Sequence, residues 1–467
     1  NTFDAQPNGA LKSLIVKIDA GLLSQVNGLP QVLWAEYVSP KPQFDDELSS
    51  QIMAGNYNAS NVVTSPGYIA SIAGLGLTGA GVTWAVTDSG VDYANPELTA
   101  KIVGGHDFPS CPVVANQPGN DNASGGHGTH VAGIIAGAGT VVGGADANGY
   151  HYGIGVAPQT SVVALNPICV DAAPWPPAGG WQENSKRAVL LNAVGTNNSW
   201  TSGEGANVGY NATARTHDFM VRDGNFDTAA VNEQFMIVFS AGNSGPGAST
   251  LTSPKEAKNP IVVGASVNQR AGSLDGLASF SSRGPAVDGR SLPTISTPGQ
   301  SIASTRRVAG GLNCATAIGA GPLANYALCS GTSMAAPHAS GTAALLTQWW
   351  RDNNVGATPS PAMVKALMVN SAVDMSGVAA AVPNNNEGWG RVNLRQAIGE
   401  GRSRVYVDQT ELLDNPAQTY ERTWGVPAAD RPVRITLAWT DAPGAAGANP
   451  ALVNNLDLEV VADGQTY

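Results

Sequence analysis

Nearly continuous apolar runs that end in polar or glycine residues are the feature that most restricts the fold of this chain. The first is GVTWAVTDSGVD from Gly81, and the pattern returns in SVVALNPI, AVLLNAV, FMIVFSAGN and PIVVGASV. Such runs suit strands that are buried on both faces of a parallel sheet. Small-residue segments typical of helices lie between them: GTHVAGIIAGAG, SMAAPHASGTAALLTQWW and PAMVKALMVNSA. The alternation predicts an α/β fold with a parallel sheet between helices.

Composition and charge exclude several classes of protein. Of the 467 residues, 43% are hydrophobic and 13% are charged, which favours a large core and argues against disorder. The net charge of −11, from 24 basic and 35 acidic residues, argues against a nucleic-acid partner, because such proteins need a basic surface to displace counterions from phosphates. No run of about 18 uncharged apolar residues occurs, so no membrane-spanning helix is expected.

The residue pattern divides the chain into three parts. In residues 1–64, LKSLIVKI and VLWAEYV are typical of strands and DDELSSQIMAG of a short helix. Residues 65–401 carry the α/β pattern. In residues 402–467 the helical pattern stops, and RVYVDQT, VRITLAWTD and NLDLEVVADGQTY alternate like strands. This last part predicts the start of a β-sandwich, a fold that normally needs about seven strands.

The four cysteines are Cys111, Cys169, Cys314 and Cys329, and none has the spacing of a C-x-x-C or zinc motif. Four cysteines allow three pairings. The shortest loop favours Cys314–Cys329, with Cys111–Cys169 as the second bond. Two disulfides imply an oxidising compartment, whereas four buried free thiols are the alternative.

Four polar residues stand where strands end or helices begin. Asp88 follows an apolar strand in a D-S-G turn, where a carboxylate can orient an imidazole. His127 lies among glycines at the start of a small-residue helix, and Ser333 opens another such helix, whose free N–H groups favour an oxyanion. Asn243 follows a strand in A-G-N, where its amide can donate to an oxyanion. Taken singly, each also has a structural interpretation, as a turn residue, a structural histidine or a helix N-cap.

The chain order of these residues, with aspartate first, then histidine, asparagine and serine, resembles that of the subtilisin-like serine proteases, or subtilases. The resemblance covers roughly residues 65–400. It rests on D-S-G-V-D, H-G-T-H-V-A-G, A-G-N and G-T-S-M-A-A-P-H, with FSSRGP and GWGRVNL as further matching stretches. The pattern WTDAPG…LVNNLDLEV resembles the branch in which a C-terminal β-sandwich or jelly-roll follows the catalytic domain.

The resemblance implies a role for each residue. Ser333 is the nucleophile, and His127 is the general base and then the general acid. Asp88 holds the imidazole tautomer and stabilises the imidazolium. Asn243 and the backbone N–H of Ser333 form the oxyanion hole.

The substrate implied is an extended polypeptide that pairs with two strand-like edges. The residues assigned to these edges are Ser199, Trp200, Thr201, Ser240, Ala241 and Gly242. Thr201 departs from the Ser-Trp-Gly expected in this branch, which leaves the shape of the first edge open.

The resemblance also implies properties beyond the site. Catalysis uses no cofactor, whereas structural calcium is expected, with Asp441 and Asp457 as candidate ligands and solvated loop carboxylates as the alternative. The protein is expected to be a secreted monomer that is made as a zymogen. Residues 1–64 resemble the end of a subtilase propeptide in V-x-W-x-E-x-x-x-P, which acts as an inhibitor and folding chaperone. A retained N-terminal extension is the alternative.

Three other functions are compatible with the same fold. The acid-acting sedolisin relatives lack the histidine, so the intact H-G-T-H argues against them. A peptide ligase or macrocyclase transfers the acyl group to an amine rather than to water. A catalytically silent binding scaffold does not react with a fluorophosphonate probe.

Overall fold

The computed structural model describes the chain in two compact units, Asn1–Gln43 and Phe44–Tyr467. The residues outside the description are 1, 9–10, 17–18, 20–21, 23–24, 27–28, 31–46, 110, 122–124, 170–175, 178, 230–232, 312, 402, 411–412, 414 and 427–431. Residues 47–64, which the sequence analysis placed in the N-terminal part, belong to the larger unit.

The smaller unit contains an antiparallel hairpin of β1 (Thr2–Asn8) and β2 (Leu11–Val16), in which Asn8 pairs with Leu11. β2 confirms the strand predicted for LKSLIVKI. The strand predicted for VLWAEYV lies outside the described residues.

The larger unit alternates strands and helices along the chain. In chain order its elements are α1 (Glu47–Ala54), α2 (Tyr68–Ala73), β3 (Thr83–Thr87), β4 (Ile102–His106), α3 (His127–Ala136), β5 (Ser161–Leu165), α4 (Gln182–Val189), β6 (Gly195–Asn198), α5 (Ala212–Arg222), β7 (Met236–Ser240), β8 (Ile261–Val267), β9 (Ile295–Gln300), β10 (Ile302–Thr305), a 3-10 helix (Gly321–Asn325), β11 (Tyr326–Cys329), α6 (Thr332–Asn353), α7 (Pro361–Ser371), α8 (Leu394–Ala397), β12 (Val461–Ala462) and β13 (Gln465–Thr466).

Most of the predicted elements are confirmed. α1 coincides with the helical pattern DDELSSQIMAG, and α3, α6 and α7 coincide with the three small-residue segments. The strand predicted for AVLLNAV is wrong, because this run covers the end of α4 and the turn after it. The strand there, β6, begins at Gly195. None of the helices in the described ranges is long and apolar enough to cross a membrane.

A seven-stranded sheet with the order β4-β5-β3-β6-β7-β8-β9 forms the centre of the larger unit. All six neighbouring pairs are parallel. β3 lies between β5 and β6. After β3 the chain forms β4 and β5 on one side of it, and then β6 to β9 on the other side. In open parallel sheets, ligands bind beyond the carboxyl ends of the strands at such a reversal. The topology therefore directs attention to the residues that follow β3 and β6.

The two faces of the sheet pack into separate apolar clusters. Trp84 and Val86 of β3 join the cluster that includes α3 and α6, whereas Ala85 joins the opposite cluster with Phe239. Successive strand residues point to opposite faces. Burial on both faces therefore explains the nearly continuous apolar runs, and the predicted α/β fold with helices on both faces is confirmed.

The C-terminal β-sandwich predicted for residues 402–467 is not confirmed. In the described part of this segment, β12 and β13 are the elements with strand pairing, and they form one short hairpin. The alternating apolar side chains Val433 and Ile435 are 59% and 37% exposed. Alternation marks a face that can be buried, but a strand also needs a backbone partner. Here carbonyls of the segment bond to side chains instead, as in the Arg222 Nη1 to Thr440 O contact of 2.8 Å.

Candidate active site

Asp88 comes directly after β3, at the reversal point of the sheet. Its residue is 2% exposed, and its backbone N–H donates to Leu165 O at 3.1 Å, which continues the ladder with β5. Its Oδ1 accepts from the Ser89 N–H at 2.8 Å and contacts His127 Nδ1 at 2.8 Å. The strand thus fixes the carboxylate in the orientation that aligns the imidazole.

His127 is the first residue of α3, and glycines surround it because the chain passes close to the Asp88 turn. Gly126 has φ +108°, a left-handed conformation that favours glycine. A Cβ on Gly128 would lie 3.0 Å from Asp88 Cβ. The G-G-H-G sequence therefore permits the close approach of the His127 segment to the turn at Asp88.

Asp121 holds the turn before His127, and the sequence analysis did not identify it. Its carboxylate accepts from the Gly126 N–H at 2.9 and 2.8 Å and from Thr129 Oγ1 at 2.6 Å. Burial raises the pKa of Asp121 to about 6, and the nearby charge of Asp88 adds to this rise. An acidic residue just before the glycine-rich turn was the available sequence signal, since carboxylates stabilise helix N-termini.

The electrostatics of His127 favour its charged form. Burial lowers the pKa of His127, but the charge of Asp88 and its hydrogen bond outweigh burial and, with the charge of Asp121, raise the pKa above 6.5. The His127 side chain keeps 21% exposure. The imidazole can therefore take up a proton at Nε2, the ring nitrogen that does not contact Asp88.

Ser333 is the second residue of α6, whose Gly331 N-cap has no side chain to bond the first N–H groups. Ser199, which directly follows β6, binds the backbone of Ser333, because Ser199 Oγ donates to Ser333 O at 2.8 Å. The Ser333 hydroxyl donates to Ser199 O at 3.3 Å. Within the described residues no hydrogen bond joins this hydroxyl to His127.

Two hydrogen-bond donors converge beside Ser333. Asn243 Oδ1 accepts from the Thr332 N–H at 2.8 Å, which orients the amide with its Nδ2 outward. The point where a Cβ on Gly331 would sit is 3.2 Å from Asn243 Nδ2 and 3.6 Å from Ser333 N. The same point is 3.6 Å from Asn243 Oδ1, so a negative oxygen that accepts from both donors has to lie on the Nδ2 side of it.

The first predicted substrate edge follows β6. Ser199 is buried and tied to Ser333, whereas Thr201 is exposed and its hydroxyl donates to Ser253 O at 3.1 Å. The Trp200 ring is buried, stacks 5.4 Å from Trp181 and donates to Thr87 O at 3.0 Å. The indole therefore supports the end of β3, and its ring is not available to a substrate at this edge.

The second predicted edge follows β7. Ser240 and Ala241 are buried, and the Ala241 N–H donates to Val263 O at 2.9 Å. Gly242 is partly exposed, has φ +111° and donates to Thr332 Oγ1 at 3.0 Å. Of the three residues, Gly242 offers open backbone beside Asn243.

The predicted disulfides Cys111–Cys169 and Cys314–Cys329 are both present. Among the described residues, the group of three His, Cys, Asp or Glu side chains close enough to share a metal ion is His130 with Cys314 and Cys329. These two thiols form a disulfide and are not free to bind an ion. Burial lowers the pKa of His130 to about 3, so its imidazole is neutral.

The interpretation of Asp441 as a calcium ligand does not fit its surroundings. Its Oδ2 pairs with Lys258 Nζ at 2.6 Å, and its Oδ1 accepts from the Asn454 N–H at 2.8 Å. An ammonium group already occupies the cation position, and both side chains are almost fully buried. Asp457, the other candidate, is exposed.

Unrelated folds reach Asp–His–Ser chemistry with the three residues in different chain orders. Here Asp88 precedes His127 and Ser333 follows, and all three lie at the edge of a parallel α/β sheet. The class is therefore that of the subtilisin-like serine hydrolases. A sequence profile of the subtilase family matches residues 79–390, and the chain belongs to this family.

Individual relatives place the chain within the family. The serine protease AprX of Bacillus subtilis (strain 168) is 31% identical over 319 residues, which cover 64% of this chain and 62% of AprX. Thermitase of Thermoactinomyces vulgaris is 30% identical over 325 residues, which cover 68% of this chain and 89% of thermitase. The chain thus spans less than two thirds of the length of AprX.

A solved structure of a lanthipeptide protease superposes with a TM-score of 0.51 at 19% identity. The match covers 76% of this chain and 94% of that protease. At this identity the likeness supports the fold alone.

Proposed function

We propose that the protein is a secreted serine endopeptidase that hydrolyses extended polypeptides through an acyl-enzyme on Ser333. The observation that carries the proposal is that Asn243 Nδ2 and Ser333 N approach one point to 3.2 and 3.6 Å, with Asn243 Oδ1 also 3.6 Å from it. Structural roles for serine and asparagine do not require that their donors meet. Family membership supports the same activity.

Acylation begins when the Ser333 hydroxyl turns from Ser199 O toward His127 Nε2. Hydrogen bonds of this kind are often loose before substrate binds. His127 takes the proton as Ser333 Oγ attacks the peptide carbonyl carbon, and Asp88 stabilises the imidazolium through its 2.8 Å contact. The carbonyl oxygen becomes an oxyanion that Asn243 Nδ2 and the Ser333 N–H stabilise. His127 then protonates the leaving amine, and the C–N bond breaks.

Deacylation repeats these roles with water. His127 removes a proton from water, and the resulting hydroxyl attacks the Ser333 ester. The second oxyanion uses the same two donors, and the ester bond to Oγ breaks as His127 returns the proton to Ser333. Splitting amide hydrolysis in this way replaces one difficult step with two easier ones.

The substrate lies as an extended strand between the edges that begin at Ser199 and end at Gly242. Backbone hydrogen bonds along such edges hold any extended sequence, and side-chain pockets select among sequences. This supports polypeptide substrates as a class.

Several accompanying properties belong to the same proposal. No cofactor enters the steps above. Structural calcium is proposed without a site, and its presence is tested by the effect of a chelator on cleavage. The disulfides support action in an oxidising compartment. Residues 1–64 are proposed as a propeptide remnant or a retained N-terminal extension, of which residues 47–64 belong to the larger unit, and residues 65–401 as the catalytic domain of a monomer.

A peptide-library cleavage assay, run with and without chelator, tests the proposal on the wild type and on Ser333→Ala. We expect the wild type to cleave and the variant to lose cleavage while it stays folded, because a partly exposed hydroxyl contributes little stability. Casein cleavage by Ser333→Ala at the wild-type rate contradicts the proposal.

The same assay separates the alternatives. A ligase or macrocyclase gives products joined to an added amine, which mass spectrometry detects. A silent scaffold gives no product, and its Ser333 takes no fluorophosphonate label.

A further inference from the structure

Lys255 is a buried lysine without a carboxylate partner. Its residue is 1% exposed, and its ammonium donates to Thr252 Oγ1 at 2.6 Å. In the described residues no salt bridge joins it to an acid. Burial lowers the pKa of Lys255 to about 7. Burying an unpaired cation is costly, and losing the proton is one way to avoid that cost. An anion bound beside the amine would instead stabilise the charged form.

Thr252, the hydrogen-bond partner of Lys255, lies next to Gly242 and therefore near the proposed oxyanion hole. Thr252 Oγ1 is 3.6 Å, and Ser282 Oγ 2.9 Å, from the point where a Cβ on Gly242 would sit, and Gly242 directly precedes Asn243. On its other side Thr252 forms a β-bridge with Ala206, in the segment that continues the Ser199 edge. Thr252 thus adjoins both predicted substrate edges, and it is partly exposed.

The Thr252 hydroxyl is polarised toward this space. A hydroxyl has one donor proton and two acceptor sites. Because its oxygen accepts from the Lys255 ammonium, its proton remains for another acceptor, and in the described residues no hydrogen bond uses it. Hydrogen bonds that involve a charged group are about twice as strong as neutral ones.

Two acids beside this segment are already occupied. Glu204 accepts from the Ser202 and Ser253 hydroxyls at 2.7 Å each. Glu256 accepts from the Val287 N–H at 2.8 Å. Neither carboxylate contacts Lys255, which leaves the ammonium for a ligand.

We propose that Lys255 and Thr252 form the floor of the pocket for the residue on the N-terminal side of the cleaved bond, and that they select an acidic side chain there. That residue presents its carbonyl to Asn243, so its side chain enters the space between Gly242 and Ala206. A carboxylate at the floor accepts from Thr252 Oγ1 and neutralises the ammonium behind it. The inference rests on the proposed peptidase function and specifies its substrate.

The test uses peptides that differ only in this residue, which is Glu, Asp, Gln or Leu. For the wild type we expect kcat/KM for the Glu peptide to exceed that for the Gln peptide by about 10- to 100-fold, as one charge-assisted contact allows. Lys255→Met keeps the length of the side chain and removes its charge, and it lowers this ratio by about tenfold or more. Thr252→Val keeps the shape and also lowers the ratio.

Lys186→Met is the matched control, because Lys186 lies on α4 and pairs with Asp227 outside the site; it leaves the ratio unchanged. Equal cleavage of the Glu and Leu peptides by the wild type overturns the inference. So does an unchanged ratio in folded Lys255→Met, or in Thr252→Val if the first variant does not fold. If the wild type cleaves no peptide and Ser333 takes no fluorophosphonate label, the peptidase function itself fails.

Discussion

Gly331→Ala places a methyl group where the oxyanion is proposed to form. The added Cβ lies 3.2 Å from Asn243 Nδ2 and 3.6 Å from both Asn243 Oδ1 and Ser333 N, and apart from the two neighbouring residues no atom comes closer. The backbone at Gly331, with φ 160° and ψ 161°, is extended. The variant should therefore fold, whereas an oxygen that needs donors at about 2.7–3.1 Å is displaced.

The magnitude follows from the loss of these donors. Removing one oxyanion donor costs about 10²–10³ in kcat, or roughly 3–4 kcal/mol, and the methyl group obstructs both. We expect Gly331→Ala to lose at least this factor in kcat with a small change in KM, measured on a peptide amide. Its melting temperature should stay near that of the wild type.

Gly74→Ala is the control for the added methyl group, since its nearest contact is 3.4 Å and its φ is −62°. It should keep wild-type kinetics. A folded Gly331→Ala variant that retains kcat within about tenfold of the wild type refutes the assignment of the oxyanion to this point.

Three further predictions concern charges. Because neutral His127 must accept the Ser333 proton and its pKa lies above 6.5, kcat/KM should rise with pH through that pKa, and a flat profile between about pH 5 and 8 contradicts this. Asp121→Asn removes a charge that raises the pKa of His127, so the rising limb should move to lower pH; an unmoved limb contradicts the coupling. Lys258→Met leaves the buried carboxylate of Asp441 without its cation, which should cost about 3–5 kcal/mol in thermal or urea unfolding. Lys258→Met/Asp441→Leu should recover part of the loss, and an equal loss in both variants argues against the pair.

The elements that the sequence predicted well are those with strong local patterns. β3 and α3 place Asp88 and His127 where the apolar runs end, and the 2.8 Å contact between them follows from the sheet topology. The start of α6 places Ser333 in the same way. These positions depend on strand and helix termini, which the residue pattern marks directly.

β6 shows why other elements escaped prediction. Its sequence GTNN is polar, yet every residue is buried. Thr196 Oγ1 and Thr87 Oγ1 lie 2.7 Å apart, so a buried polar pair stabilises the strand. The apolar run before it forms the end of α4 instead. Hydropathy alone cannot identify a strand whose polar groups find partners far away in sequence.

α5 and Lys255 show two further limits. The polar composition of residues 201–227 favours a surface loop, but Asn211 caps α5, with its side chain accepting from the Ala214 N–H at 2.9 Å. That signal was present in the sequence. The burial of Lys255 and its contact with Thr252 depend on how loops from separate strands meet, which no local pattern shows.

The location of a fluorophosphonate adduct tests the central claim most directly. Peptide mapping by mass spectrometry of the labelled wild type should place the adduct on Ser333, with no label on Ser333→Ala. An adduct on another residue, or equal labelling of the variant, contradicts the account.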